Sequence, residues 1–170
     1  MKTFAEITVI ADNHAQMREY SCVQSAIEMV LKLYGYLGQD EYPEQAHEEL
    51  DGKGFIPWHM VIGARIYHGK KFTFVEEKFD NNLQPGNWKQ AAWGRGMQLL
   101  DEQIYPIYSF EKPHKPGQFH CWLGIRCEDQ YGMQFTTKPL LGLTEKEIQS
   151  QIGPVWAAQT KTEILIIRPV

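Results

Sequence analysis

The sequence has little cysteine, no concentrated positive charge and no long apolar run, and each shortage removes a class of protein. Three cysteines in 170 residues, an odd number, do not make a disulfide framework. They do not suggest a metal site either. There is no CxxC pair and no HExxH, and Cys121 and Cys127, with His120 beside the first, have no second ligand cluster to complete a zinc site. No motif implies an organic cofactor. Lys and Arg number 17 against 21 Asp and Glu, for a net charge of −4, and no basic run stands out, which argues against nucleic acid as a partner. The opening MKTFAEITVIADNH is broken by Glu6 and Asp12 and is too short for a secretory signal or a membrane span. With no other apolar run of spanning length, no membrane partner is expected. The expected location is the cytoplasm, or outside the cell by a route that cleaves no signal. Internal repeats and low-complexity tracts are missing too, and nothing in the sequence speaks to oligomeric state.

What is present is an ordinary globular composition, 43% hydrophobic and 22% charged, over a length that suits a single domain, residues 1–170. Aromatic residues make up 12%, and five Trp point to a packed core or a substrate groove. FAEITVI, residues 4–10, is β-rich and reads as a strand, and residues 12–19 as a polar loop. From Cys22 the pattern turns helical: Ile27, Val30, Leu31 and Tyr34 recur at three- and four-residue spacing, with Ser21 as N-cap and Gly35 as stop. So few positions in this stretch are polar that burial on most sides is expected. Further helices are expected over 43–50, 57–67 and 88–102, the last weakened by Gly94 and Gly96, with a strand at 72–76 and a loop at 80–87. Strands follow at 105–110, 119–127 and 132–137. Thr144 and Glu147 then form a capping-box signature for a helix to Ile152, and TEILIIRP is a last strand. The expectation is an α+β fold of two layers, a helical part over about 11–102 and an antiparallel sheet part over about 103–170.

Three residues carry the chemistry. Cys22 stands at a helix N-terminus, where unpaired N–H groups and the helix dipole favour a thiolate over a thiol whose ordinary pKa is roughly 8.5. The competing reading is a small buried hydrophobe, the usual fate of a free cysteine. Gln16, six residues earlier in the polar loop, has a side-chain amide that can pair with the Cys22 backbone N–H as a two-donor oxyanion hole; otherwise it is a solvated loop residue. His120 opens the apolar strand FHCWLGI. Strand alternation puts Phe119, Cys121, Leu123 and Ile125 on one face and His120, Trp122 and Gly124 on the other. A histidine at a strand mouth is held stiffly yet reaches a cleft, as a general base must; the alternative is a structural histidine bonded to backbone.

With these residues in place, Gln16, then Tyr20-Ser21-Cys22, then Ala26-Ile27-Glu28-Met29-Val30-Leu31 and Tyr34-Gly35 resemble the papain-like cysteine peptidase superfamily, closest to the bacteriocin-processing, double-glycine-leader branch. Gly54-Phe55-Ile56-Pro57 is similar to that branch's second helical segment, and His120-Cys121-Trp122-Leu123-Gly124-Ile125 to its histidine strand. The resemblance implies a Cys-bearing core helix packed on a C-terminal antiparallel sheet, with Cys22 as nucleophile, His120 as general base and Gln16 as oxyanion donor. It implies a peptide or protein substrate and no cofactor or metal. Trp58, Trp93 and Trp122 are candidates to line a substrate groove, against the core as their ordinary place.

Two positions depart from the family pattern. Val23-Gln24 follows the cysteine where Gly-Pro is usual, and Thr136-Thr137 stands where an Asp or Asn normally orients the histidine. A Thr hydroxyl at Thr137 can orient an imidazole but does not offset its charge. The site is therefore a Cys–His dyad, a site with an unusual orienter, or a degenerate one. The matching functions are a cysteine peptidase, an acyltransferase or deamidase acting on a partner protein through the same thioester, or a peptide-binding module that has lost catalysis.

Overall fold

The structure is a computed structural model, and it describes residues 2–14, 22–36, 61–67, 69–111, 119–134 and 139–170. The described residues form a mixed α+β fold. Four helices, α1 (Phe4–Asp12), α2 (Cys22–Leu33), α3 (Trp88–Asp101) and α4 (Glu145–Ala157), accompany seven strands. The strands are β1 (Gly63–Tyr67), β2 (Lys70–Asp80), β3 (Ile107–Glu111), β4 (Phe119–Cys127), β5 (Gln130–Gln134), β6 (Leu140–Leu143) and β7 (Lys161–Pro169). They join in one antiparallel sheet in the order β1-β2-β7-β3-β4-β5-β6.

The sheet is covered on both faces, so the layers number three and not the two expected. Period-two alternation sorts each strand's side chains. Phe72, Phe74, Ile107, Cys121, Leu123, Ile125, Cys127, Leu165 and Ile167 face α1 and α2, while Phe79, Tyr108, Trp122, Ile164 and Ile166 face α3 and α4. The sheet also begins earlier than expected, because the β1–β2 hairpin falls inside the stretch read as helical.

Two local expectations are corrected, and one strand is added. Residues 4–10 are helix, not strand. Thr3 Oγ1 accepts from the Glu6 N–H while the Glu6 carboxylate accepts from the Thr3 N–H, a full capping box, and Ile7, Ile10 and Ala11 then share one buried stripe. That cap and spacing outweigh the β propensity of the segment. Residues 63–67 are strand, not helix: they pair with β2 through a tight turn in which Gly69 takes φ +75°. As an edge strand exposed over much of its length, β1 shows no clean alternation in sequence. Strand β6, a short edge strand paired to β5 with an irregular register, had no sequence signal. The helix expected at 43–50, the first part of the one expected from residue 57, and the Ser21 cap lie outside the described residues.

Other elements match. Gly35 at φ +81° stops α2 in a Schellman arrangement: the Tyr36 N–H donates to Leu31 O (3.0 Å) and the Gly35 N–H to Lys32 O (2.9 Å). The Thr144–Glu147 capping box opens α4, which runs on through Pro154 to Ala157. Gly96 has a packing reason. A Cβ there would lie 1.5 Å from the Tyr108 hydroxyl, so the glycine lets Tyr108 slide under α3 and stack on Trp122, with ring centroids 4.1 Å apart and planes 7° off parallel.

Helix α2 is the buried element the sequence suggests. Every residue from Val23 to Leu33 is buried, including Gln24, Ser25, Glu28 and Lys32. Burial of polar groups requires partners. Ser25 Oγ accepts from Gln134 Nε2 at 2.9 Å and lies 3.1 Å from His14 Nε2; Lys32 Nζ lies 3.4 Å from His14 Nδ1. With Lys32 donating to Nδ1, the ring carries its proton on Nε2 and donates to Ser25. Burial, and after it the Lys32 charge, hold the His14 pKa down at about 3, so the ring is neutral near pH 7. This network ties α2 to the segment after α1 and to the end of β5.

Candidate active site

Cys22 is the first residue of α2 and the one position of that helix that is not fully buried. Its placement follows from the helix itself. The apolar stripe and the Ser25 network lock α2 against the sheet, and Cys22 alone is left partly exposed at its start. Across from it is the start of β4, on which α2 packs. The β4–β5 ladder ends at Leu123↔Gln134 while β4 continues outward through Trp122, Cys121 and His120 toward Phe119, paired there to β3. His120 therefore stands near the open end of its strand, half-buried, with its ring edge-on to Phe110 at 5.3 Å between centroids and 85° between planes. Its side chain hydrogen-bonds the Cys22 sulfur.

A second thiol completes the arrangement. Cys121, on the face of β4 turned to α2 and 3% exposed, also hydrogen-bonds Cys22. Together these contacts bring the Cys22 pKa down to about 5 from the ordinary thiol value. The Cys121 side-chain hydrogen bond is the largest cause; burial opposes it, and the hydrogen bond and charge of His120 add to the lowering. The Cys121 thiol moves the opposite way, well up, because it donates to a neighbouring thiolate and is buried. The chemical picture is one thiolate, at Cys22, held by one thiol donor and one imidazole. A thiolate populated at neutral pH at the half-exposed start of a helix can attack an electrophilic carbon.

The structure thus brings together two of the three residues singled out in the sequence, Cys22 and His120. Gln16 lies outside the described residues, as do Thr136 and Thr137. Gln134, which closes β5 before that segment, turns its amide to Ser25 on the α2 side of the sheet. Cys121 was not singled out as a site residue. Its signal is in the alternation of β4, which places it on the face turned to α2, but the meeting of its sulfur with that of Cys22 depends on how α2 crosses the strand.

Two of the aromatics proposed for a groove are placed elsewhere. Trp122 is buried on the α3–α4 face, and Trp93 packs against Trp156 with its indole N–H donating to Glu145 Oε1 at 3.0 Å. Both belong to the aromatic core on the far side of the sheet; Trp58 lies outside the described residues. Cys127 is buried in the core, with its pKa pushed up by burial and by the nearby Glu128 carboxylate. Among the described residues no group of three or more His, Cys, Asp or Glu side chains could hold a metal ion, and no helix is long and apolar enough to cross a membrane. Searches of protein-family models and of curated proteins return no match to this chain.

Proposed function

We propose that this chain is a papain-like cysteine hydrolase, a peptidase, with Cys22 as nucleophile and His120 as the proton carrier. The observation that carries this reading is the hydrogen bond of His120 to a cysteine at a helix start whose pKa stands at about 5. Nucleophile and base within hydrogen-bond reach is the arrangement that covalent catalysis by a thiol requires. The order along the chain also fits: a buried cysteine-bearing helix, then an antiparallel sheet whose fourth strand opens with the histidine.

In the reaction the Cys22 thiolate attacks a peptide carbonyl and forms a tetrahedral intermediate. The developing oxyanion sits near the first N–H groups of α2, which have no partners within the helix. Gln16 is the second donor on the sequence reading. His120 gives its proton to the leaving amine, the C–N bond breaks, and an acyl thioester remains on Cys22. A water molecule then attacks the thioester as His120 takes its proton, releasing the acid and restoring the thiolate. Edge-on packing against Phe110 limits rotation of the imidazole.

The test is labelling by a peptide-like electrophile, with the products of trial peptides weighed alongside. The parent is expected to label at Cys22 and the Cys22→Ala variant not at all. A product mass gain of one water marks hydrolysis, whereas transfer or deamidation gives other masses. Equal labelling of parent and variant removes Cys22 as the nucleophile.

A further inference from the structure

The pairing of Cys22 with Cys121 has no part in amide hydrolysis that a backbone N–H or a hydroxyl could not play, and the choice of a second thiol gives the site another chemistry. We propose that Cys22 and Cys121 are the two halves of a reversible disulfide, formed when a hydroperoxide reaches the site, which switches the site off. The inference rests on Cys22 being the reactive thiolate of the reading above.

Four observations support it. Cys22 packs against the same core cluster that holds Cys121, and each thiol acts most strongly on the other, so the two side chains are neighbours that a bond of about 2.05 Å can join. They sit on two elements packed together, α2 and β4, so neither has to be brought in by a loop. Their exposure is unequal: Cys22 is half-buried while Cys121 is 3% exposed, so an oxidant entering from solvent meets Cys22 first. The third cysteine is out of range. Cys127 is six residues farther along the same strand, about 20 Å from Cys121 at strand rise.

The steps balance. The Cys22 thiolate attacks one oxygen of the hydroperoxide, the O–O bond breaks, and the departing alkoxide or hydroxide takes a proton, leaving Cys22 as a sulfenic acid. The Cys121 sulfur then attacks the Cys22 sulfur. The S–O bond breaks, the oxygen leaves as water with the proton of Cys121, and the disulfide forms. Two thiols have lost two electrons and the peroxide has gained them. A small dithiol reverses the bond by exchange. The fast disulfide also protects Cys22 from irreversible oxidation to the sulfinic and sulfonic acids.

The full-length chain is treated with a small excess of hydrogen peroxide, digested without reductant and mapped by mass spectrometry. The expected product is a Cys22–Cys121 cross-linked peptide pair two hydrogens lighter than the free thiols. It should return to thiols with dithiothreitol, and the Cys127→Ser variant should give the same bond. In Cys121→Ser, Cys22 should instead advance to sulfinic acid; Cys121→Ala serves if the serine does not fold. Sulfinic acid at Cys22 of the parent, with Cys121 still a thiol, overturns the inference, as does a bond to Cys127 or between chains. The map is read without any peptide substrate. A disulfide in a protein that cleaves nothing leaves the reversible thiol pair standing but removes the peptidase reading and, with it, the switch; cleavage without the disulfide does the reverse.

Discussion

The two faces of the sheet are built by different rules. On the α3–α4 face, Trp88, Trp93, Tyr108 and Trp122 surround Trp156 at centroid distances of 5.9, 6.4, 5.7 and 6.3 Å, with Met133, Ile148, Ile152, Ile164 and Ile166 filling in. Among the described residues, the buried Glu and Lys side chains, Glu28 and Lys32, both lie on α2, away from that cluster. On the α1–α2 face an apolar core of similar extent also encloses His14, Gln24, Ser25, Glu28 and Lys32, and it leaves one cysteine at its rim. Burying polar side chains costs free energy unless each is bonded, and networks of this kind fix one arrangement of the elements that carry them. The aromatic face makes the domain stable; the other face holds α2 in one position relative to β4, and the pairing of Cys22 with His120 and Cys121 depends on that position.

A pair of substitutions breaks the comparison most sharply. Trp156→Ala removes the centre of the aromatic cluster and should cost about 3–5 kcal/mol of stability, with the Cys22 pKa of the folded protein unchanged. His120→Ala should do the reverse: activity falls by about 10²–10⁴-fold, and denaturant melts move by about 1 kcal/mol or less. Denaturant titration and peptide-cleavage rates on both variants check this. A loss of reactivity in folded Trp156→Ala would mean that the faces are not separable.

A smaller effect is expected for Gly96→Ala, where the added methyl meets the Tyr108 hydroxyl and displaces a ring stacked on Trp122. Overpacking of this kind costs about 1–3 kcal/mol, more than the helix propensity of alanine returns, so the melting midpoint should fall although glycine is the poorer helix former. The polar face should also show an acid response. The folded pKa of His14, about 3, lies below its ordinary value of 6.5, so the unfolded chain binds the proton more readily between those values. Stability is therefore full above pH 6.5 and falls as the pH drops toward 3, by at most about 1.4 kcal/mol per pH unit from this group. In His14→Gln, urea melts across that range should lose this part of the slope.

The features legible in sequence were those with local causes. The stripe of Ile27, Val30 and Leu31 gave α2, Gly35 its end, and Thr144 with Glu147 the start of α4. The alternation in FHCWLGI put Cys121 and His120 on opposite sides of β4, and Cys22 and His120 could be paired as candidates because each stands at the start of an element. The errors fell where tertiary pairing decides. Residues 63–67 are a strand only because β2 lies beside them, and β6 exists because β5 offers an edge. The helix at residues 4–12 is a different case, since its Thr3–Glu6 cap was in plain view but the β-branched residues inside it pointed the other way. Cys121 was legible in its facing but not in its contact, because no spacing in the sequence states which strand residue meets the first turn of α2.

The most direct measurement is the pH dependence of Cys22 alkylation by iodoacetamide, read at the Cys22 peptide by mass spectrometry. The rate should rise through a midpoint near pH 5 and stay level above it, and in His120→Ala and in Cys121→Ser the midpoint should move upward. A midpoint near the ordinary thiol value, unmoved by either substitution, would contradict the thiolate on which the proposed site depends.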